Sequence, residues 1–358
     1  MDNETKVNYR VSNFFLFFMI TTSQVGVGLL SYQSLIVTNA RHDGWLSVLI
    51  TGLSLHLILW MIYKILEGET NDIISFHKAV FGTFITKVST VLLSIYFLSL
   101  SFVVLRSYIN IVQVWAFPTI SIWELAICIL LLIYYIVSGG FRVITGVSFL
   151  AFFIPLLLLM FSLYFPLRMS NFNNILPVFN LSFFEFLQSS KDSSLIFIGF
   201  ESLLVYFPFL KNGDRSKKWA NAGLIYTTSL YTIVAIVSLT YFSLEQIIHY
   251  RWPTLEMIKI FDLPFIERFE YIFIFCWLIV IIPTICVPLW SICRMNKKAF
   301  NIKPRITLMI SLVVLLFGSI LIDNHIKIEA TSELVSNIGF YFIYLYIPFL
   351  FFIRVVKN

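Results

Sequence analysis

Thr21-Thr22-Ser23-Gln24-Val25-Gly26-Val27-Gly28 stands in the middle of an apolar run over 11–38, and Phe197-Ile198-Gly199-Phe200-Glu201-Ser202 stands inside another over 194–210. Both place glycine, which costs a helix interior about 1 kcal/mol relative to alanine, in the body of a segment that otherwise reads as a helix. Gly26 and Gly199 are 173 residues apart, close to half the chain. Paired interruptions at corresponding positions of two halves are the sequence pointer to an inverted-repeat membrane fold with unwound helices. Unwinding frees backbone N–H and C=O groups at the bilayer midplane. Lipid cannot satisfy them, so they face protein, water or a ligand. Half-helix N-termini attract a carboxylate and freed carbonyls suit an ammonium group, so a zwitterionic amino acid matches both. The other reading of Gly26-Val27-Gly28 is a close helix-packing surface of the kind common in membrane helices.

The composition around these stretches supports a bilayer setting. Of 358 residues, 59% are hydrophobic and 12% charged, against about 25% charged in soluble chains. The mean hydropathy is +0.89. No stretch is polar enough for a soluble domain. Cys128, Cys276, Cys286 and Cys293 form no C-x-x-C pair and read as small buried hydrophobes. The first apolar run is too long for a signal-peptide core and reads as an uncleaved span. The five scattered histidines form no metal motif, and no phosphate-binding loop, nucleophile elbow or aromatic–basic platform occurs. Neither an enzyme, a cofactor nor a nucleic-acid partner is expected.

A span needs about 20 mostly apolar residues. Ten runs meet or approach this: 11–38, 44–66, 88–114, 121–138, 142–165, 194–210, 219–242, 269–292, 305–322 and 334–355. The third run can begin earlier, since 73–87 also reads as helical. The expected fold is an all-α membrane protein, one transmembrane domain over 1–358. Its ten helices divide into a five-plus-five inverted repeat, about 11–165 and 194–355, with helices one and six broken. With both ends cytoplasmic, 17 of the 25 Lys and Arg residues fall in inner segments and 7 in outer ones, which favours that orientation. Basic residues at the surface also suit anionic lipid. The outer segment 243–268 carries Trp252-Pro253-Thr254, then Leu255, Ile258 and Phe261 at helical spacing. It predicts a short amphipathic helix lying on the outer surface.

Three further positions bear on a site. Glu201 lies two residues beyond Gly199, and a carboxylate within a span faces the bundle interior or a cavity. It either fixes helix packing, pairs with Arg106, or serves a ligand or proton. Arg106 shares a face of the third run with Tyr96 and Leu100, and either joins such a site or snorkels to the interface. Thr284, beside Pro283 in the eighth run, either offers its hydroxyl inward or satisfies its local backbone. Glu124, beside Trp123 at a span start, reads as interfacial.

The chain resembles the B subunits of bacterial spore germinant receptors. These form the spore permease family, related to amino acid–polyamine–organocation (LeuT/APC-type) transporters. The resemblance runs over nearly the whole chain. It is carried by Gly26-Val27-Gly28-Leu29-Leu30, Tyr96-Phe97-Leu98 with Arg106, Phe197-Ile198-Gly199-Phe200-Glu201, Trp252-Pro253-Thr254 and Ile266-Glu267-Arg268-Phe269-Glu270. It implies a subunit that binds a small nutrient germinant, often an amino acid, within the membrane. It also implies A and C subunit partners, residence in the spore's inner membrane, and a part in triggering germination. The implied binding residues are Gly26, Val27, Gly28, Tyr96, Leu100, Ile198, Gly199 and Thr284, with Glu201 as a binding or coupling residue and Arg106 as a structural or coupling one. A proton- or sodium-coupled amino-acid carrier would use the same pocket. A passive scaffold would not need unwound midplane backbone.

Overall fold

The computed structural model describes residues 10–68, 71–180, 182–260 and 268–357. Their regular structure is helical, apart from a parallel bridge between Val11 and Leu210. The first apolar run is two helices, α1 (Phe15–Gln24) and α2 (Gly28–Ala40). There follow α3 (Gly44–Leu66), α4 (Ile73–Trp115), α5 (Ile122–Ser138), α6 (Phe141–Arg168), α7 (Phe183–Ser194) and the short α8 (Leu203–Tyr206). The second half contains α9 (Lys217–Tyr241), α10 (Leu244–His249), α11 (Pro253–Ile258), α12 (Phe269–Phe300), α13 (Pro304–Leu321), α14 (His325–Tyr341) and α15 (Ile347–Lys357). Among the described residues, seven helical stretches are long and apolar enough to cross a membrane. They become eight when Phe183–Phe197 and Phe200–Phe209, bent by 55°, are taken as one span.

That number is smaller than the ten apolar runs for local reasons. The first run is divided at Val25–Val27, and α5 has only 17 residues. α2 and α3 are near-continuous in sequence, yet the chain turns back between them. Arg41 takes a positive φ of 47°, and a Cβ on Gly44 would lie 3.0 Å from Ile36 of α2. The bend within α4 falls at Gly82, whose φ of 79° glycine adopts without a Cβ penalty.

Helix starts are written in local chemistry. Asp72 accepts from Ser75 N at 2.8 Å to cap α4. Ser121 with Glu124 forms a capping box on α5, so Glu124 serves the helix start. Ser182 with Glu185 does the same for α7. This last box marks a correction: the sixth helical element begins at Phe183, not near 194. The segment 183–194 is rich in Ser, Gln, Lys and Asp and reads as a polar loop. It is a helix whose serines Ser189, Ser193 and Ser194 are buried against protein, so no lipid-facing apolar run marks its start. The expected outer-surface helix is also corrected. α11 starts at Pro253, but Thr254, Leu255 and Ile258 are fully or almost fully buried, packed against α2 rather than lying on a surface. Phe261, Ile266 and Glu267 lie outside the described residues.

α12 is the centre of the bundle, packed along α4, α6 and α13. Its prolines, Pro283 and Pro288, are buried inside the helix, where neighbouring helices can take up the backbone that proline frees. Cys286 and Cys293 are buried on it, whereas Cys128 is exposed. Between lipid-embedded helices there is no hydrophobic driving force, so close backbone approach matters more. Gly223 of α9 meets Ile20 and the carbonyl of Phe17 on α1, and Gly52 of α3 meets Thr228 of α9. Ile50, Leu53, Leu57 and Trp60 remain exposed along α3, as do Ile310, Val314, Phe317 and Leu321 along α13. Stripes of this size suit acyl chains, not water.

Residues before α1 and on α15 close one face. Val11 N–H donates to Phe209 O at 2.8 Å and Lys211 N–H to Val11 O at 3.0 Å. Asn13 Nδ2 donates to Asn212 O, and Asn212 N donates back to Asn13 Oδ1. Arg354 of α15 donates to Glu67 O at 2.6 Å. Lys64, with Lys217 adding to it, holds the Glu67 carboxyl below the usual carboxylate range. On the opposite face Asp43 accepts from Phe179 N and Asn180 N at 2.8 and 2.9 Å, tying the segment before α7 to the α2–α3 turn.

A Cβ at position 52 would lie 2.3 Å from Thr228 Oγ1. Gly52→Ala should therefore cost about 1–3 kcal/mol through overpacking, read as a lower melting temperature of the detergent-purified protein. Thr228→Gly in the same chain should restore most of the loss. Wild-type melting of Gly52→Ala would mean that α3 and α9 do not meet there.

Candidate binding site at the paired helix breaks

At Val25–Val27 the first run leaves helical geometry: Val25 is extended (φ −80°, ψ 109°) and α2 restarts at Gly28. Leu29 N donates to Gly26 O at 3.3 Å and Leu30 N to Val27 O at 3.0 Å, so the restart begins with tight i to i+3 bonds. The second break lies at Ile198–Gly199. Ile198 is extended and Gly199 takes φ 123°, a value that strains any residue with a side chain.

The breaks lie back to back. A Cβ on Gly199 would stand 2.3 Å from Ser23 O, so only glycine lets the two backbones approach this closely. Gln24 crosses the gap. Its Nε2 donates to Phe197 O at 3.0 Å, and its Oε1 accepts from Thr227 Oγ1 at 2.7 Å. The carbonyl of Gln24 in turn accepts from Tyr231 Oη at 3.0 Å. One end of each broken helix is thereby tied to α9.

Glu201 completes the second break. It has no solvent exposure. Its Oε2 accepts from Gly199 N at 2.7 Å and its Oε1 from Tyr96 Oη at 2.8 Å. The carboxylate thus replaces the helical carbonyl that Gly199 lacks and fastens the break to α4. Tyr96 also stacks on Phe342, with ring centroids 5.0 Å apart. Phe342 opens a single turn of π-helix, Phe342–Tyr346, between α14 and α15. Gly339, one turn earlier, leaves room for Ile198 Cδ1 and Tyr96 Oη, which would lie 2.4 and 3.2 Å from a Cβ there.

The residues singled out in the sequence divide accordingly. Gly26, Val27 and Gly28 form the first break and Ile198, Gly199 and Glu201 the second, and Tyr96 joins it. Thr284 borders Gly26: its hydroxyl donates to Ile281 O at 2.6 Å, and its methyl carbon would lie 3.4 Å from a Cβ at Gly26. The hydroxyl serves the local backbone and the methyl group lines the break. Leu100, one turn beyond Tyr96, is half-buried on α4. Arg106 is elsewhere. It is fully buried and donates from Nε to Ile322 O at 2.7 Å and from Nη2 to Asp323 O at 2.8 Å. It neither pairs with Glu201 nor snorkels. It caps the carbonyl end of α13, where a cation is favoured by the helix dipole. The sequence reading gave no role to Gln24, Thr227, Tyr231, Gly339 or Phe342. A glutamine inside an apolar run is a signal that could have found Gln24, whereas the others have no local mark.

A family model described as Spore germination protein (Spore_permease) matches residues 10–327. Spore germination protein GerQB of Bacillus cereus is 37% identical over 351 residues, covering 98% of this chain and 97% of that protein. Spore germination protein B2 of Bacillus subtilis (strain 168) is 24% identical, covering 72% of this chain and 71% of its own. Among solved structures, a substrate-bound, outward-open Na+-coupled sialic acid symporter superposes with a TM-score of 0.70 at 10% identity. The match covers 94% of this chain and 79% of that one. The helical fold is therefore like that of this symporter.

Glu201→Leu would leave Gly199 N–H and Tyr96 O–H without their acceptor, at about 1–3 kcal/mol for each buried donor. Glu201→Gln keeps an acceptor for Gly199 and offers an amide donor to the tyrosine oxygen. Thermal melting should show a clear fall for Glu201→Leu and near wild-type behaviour for Glu201→Gln. Equal losses in both would show that the charge, not the bonding, holds the break.

Proposed function

We propose a sensing role for this chain, which belongs to the Spore_permease family of spore germination proteins. In this reading it is a germinant receptor B subunit that binds a small nutrient, an amino acid, at the paired breaks. Occupancy then helps to trigger germination. It works with A and C subunits in the inner membrane of the spore, with both termini cytoplasmic, and its spans number ten in a five-plus-five inverted repeat. The observation that carries the reading is the back-to-back arrangement of Val25–Gly28 and Ile198–Gly199, held by Gln24 and Glu201. Two interrupted helices bring non-helical backbone side by side in a water-poor interior, where side chains now serve its donors and acceptors, a pattern suited to a zwitterion. Gly26, Val27, Gly28, Ile198 and Gly199 offer the backbone, and Tyr96, Leu100 and Thr284 bound the space. Glu201 and Arg106 fix the frame.

A second reading, a coupled amino-acid carrier, is favoured by the likeness of fold to a Na+-coupled symporter. The two readings share the pocket and differ in net transport. Purified protein in liposomes, offered each of the twenty radiolabelled amino acids, separates them. Saturable binding without accumulation, reduced more than tenfold by Gly26→Leu, is the result expected of a receptor. Accumulation driven by a proton or sodium gradient would establish a carrier instead. The corresponding deletion in the spore should abolish the response to the same amino acid.

A further inference from the structure

A cleft of about 160 Å³ opens between α7 and α14, lined by Gln188, Lys191, Asp192, Leu195, Glu333 and Asn337. It lies just outside the site described above. Leu195 is three residues before Ile198 of the second break, and Asn337 is two residues before Gly339, against which Ile198 and Tyr96 pack. Gln188 and Asp192 on α7 and Leu195, the residue that follows it, recur at spacings of four and three, so they share the face that descends toward the break. The cleft is on the side away from the chain ends, on the helix whose start is joined to the α2–α3 turn through the Asp43 segment.

Its charges are incompletely used. Asp192 accepts one bond, from Asn39 Nδ2 to Oδ2 at 2.6 Å. Among the described residues no ion pair holds Lys191 or Glu333. Lys191 has only the ring of Phe340, with Nζ 5.8 Å from its centroid. Both Lys191 and Glu333 lie close enough to the Asp192 carboxylate to act on its charge. One cation, two carboxylates and two side-chain amides therefore surround a space the size of a small solute, with an aliphatic floor at Leu195.

We propose that this cleft is a second, outer binding site for a zwitterionic amino acid, through which the solute passes to the paired breaks. The solute's carboxylate faces Lys191, its ammonium group faces Glu333 and Asp192, and Gln188 and Asn337 supply neutral bonds at the rim. A solute bearing only one of the two charges leaves part of this set unpaired, so the cleft selects zwitterions before the inner site is reached. The proposal rests on the functional reading for the kind of solute, but it stands on different residues.

Binding stoichiometry separates the two ideas. Each of the twenty radiolabelled amino acids is dialysed to equilibrium against the full chain in nanodiscs. For the amino acid that binds, wild-type protein should take up two molecules per chain and Gly26→Leu one. Lys191→Gln and Glu333→Gln should each leave one, with binding at the cleft weakened more than tenfold. Neither the methyl ester nor the N-acetyl derivative of that amino acid should compete at the cleft. Both substituted positions are at least partly exposed, so size-exclusion profiles should match the wild type. A single wild-type site lost in Gly26→Leu and untouched by Lys191→Gln and Glu333→Gln would overturn the cleft and leave the inner site standing. A single site lost in the cleft variants and retained in Gly26→Leu would uphold the cleft and overturn the inner site. Binding of none of the twenty would overturn both.

Discussion

The N–H of Gly199 has no carbonyl of its own helix to bond with, and the carboxylate two residues later supplies the missing acceptor. That bond lies in an interior where an unmet donor costs more than it would in water. It permits the break, and the break permits everything around it. Because Gly199 has no side chain, Ser23 O can lie against it. Because the first helix is open at the same level, Gln24 can reach the carbonyl of Phe197. Because Glu201 has a second oxygen, Tyr96 is drawn in from α4, and through Tyr96 the aromatic ring of Phe342. Four helical elements are thus held at one point, with α4 the regular one among irregular neighbours.

The rest of the bundle holds this centre without crowding it. α9 supplies Thr227 and Tyr231 as donors to Gln24, and it is kept close to α1 and α3 by glycines where larger residues would separate the helices. Thr254 of α11 donates to Leu29 O at 2.9 Å and accepts from Gln33, so a short helix far along the chain braces the restart of α2. Arg106 closes the carbonyl end of α13. These are polar contacts in an apolar medium, each satisfying backbone that helix ends and breaks expose.

What the amino-acid sequence disclosed follows from which forces are local. α3 runs over Gly44–Leu66, the range its hydropathy predicts, because a long lipid-facing helix is specified by composition alone. The two breaks were legible because their glycines recur at corresponding positions of the two halves, which glycines used for helix packing need not do. α7 was not, because its polar face turns toward protein and so resembles a loop in composition. The burial of Leu255 and Ile258 was likewise hidden, since an amphipathic pattern does not say whether its apolar side meets lipid or helix. The partners of Arg106 were hidden for a related reason. They are backbone carbonyls at Ile322 and Asp323, which carry no side-chain signature, while Glu201 was visible as a charge of opposite sign.

The π turn at Phe342–Tyr346 has a consequence for the last helix as a whole. A π turn holds one residue more than the α-helical ladder would, which rotates all that follows by about 100° relative to an uninterrupted helix. α14 and α15 therefore present unrelated rows of residues to the bundle. The row before the turn sets Gly339 against Ile198. The turn itself lays Phe342 on Tyr96 and brings the Tyr346 hydroxyl within 2.7 Å of His77 Nε2. The row after it brings Arg354 to Glu67. One extra residue is a phase change in the helical wheel, and it lets a single helix be in register with the broken centre at one end and with the closed face at the other.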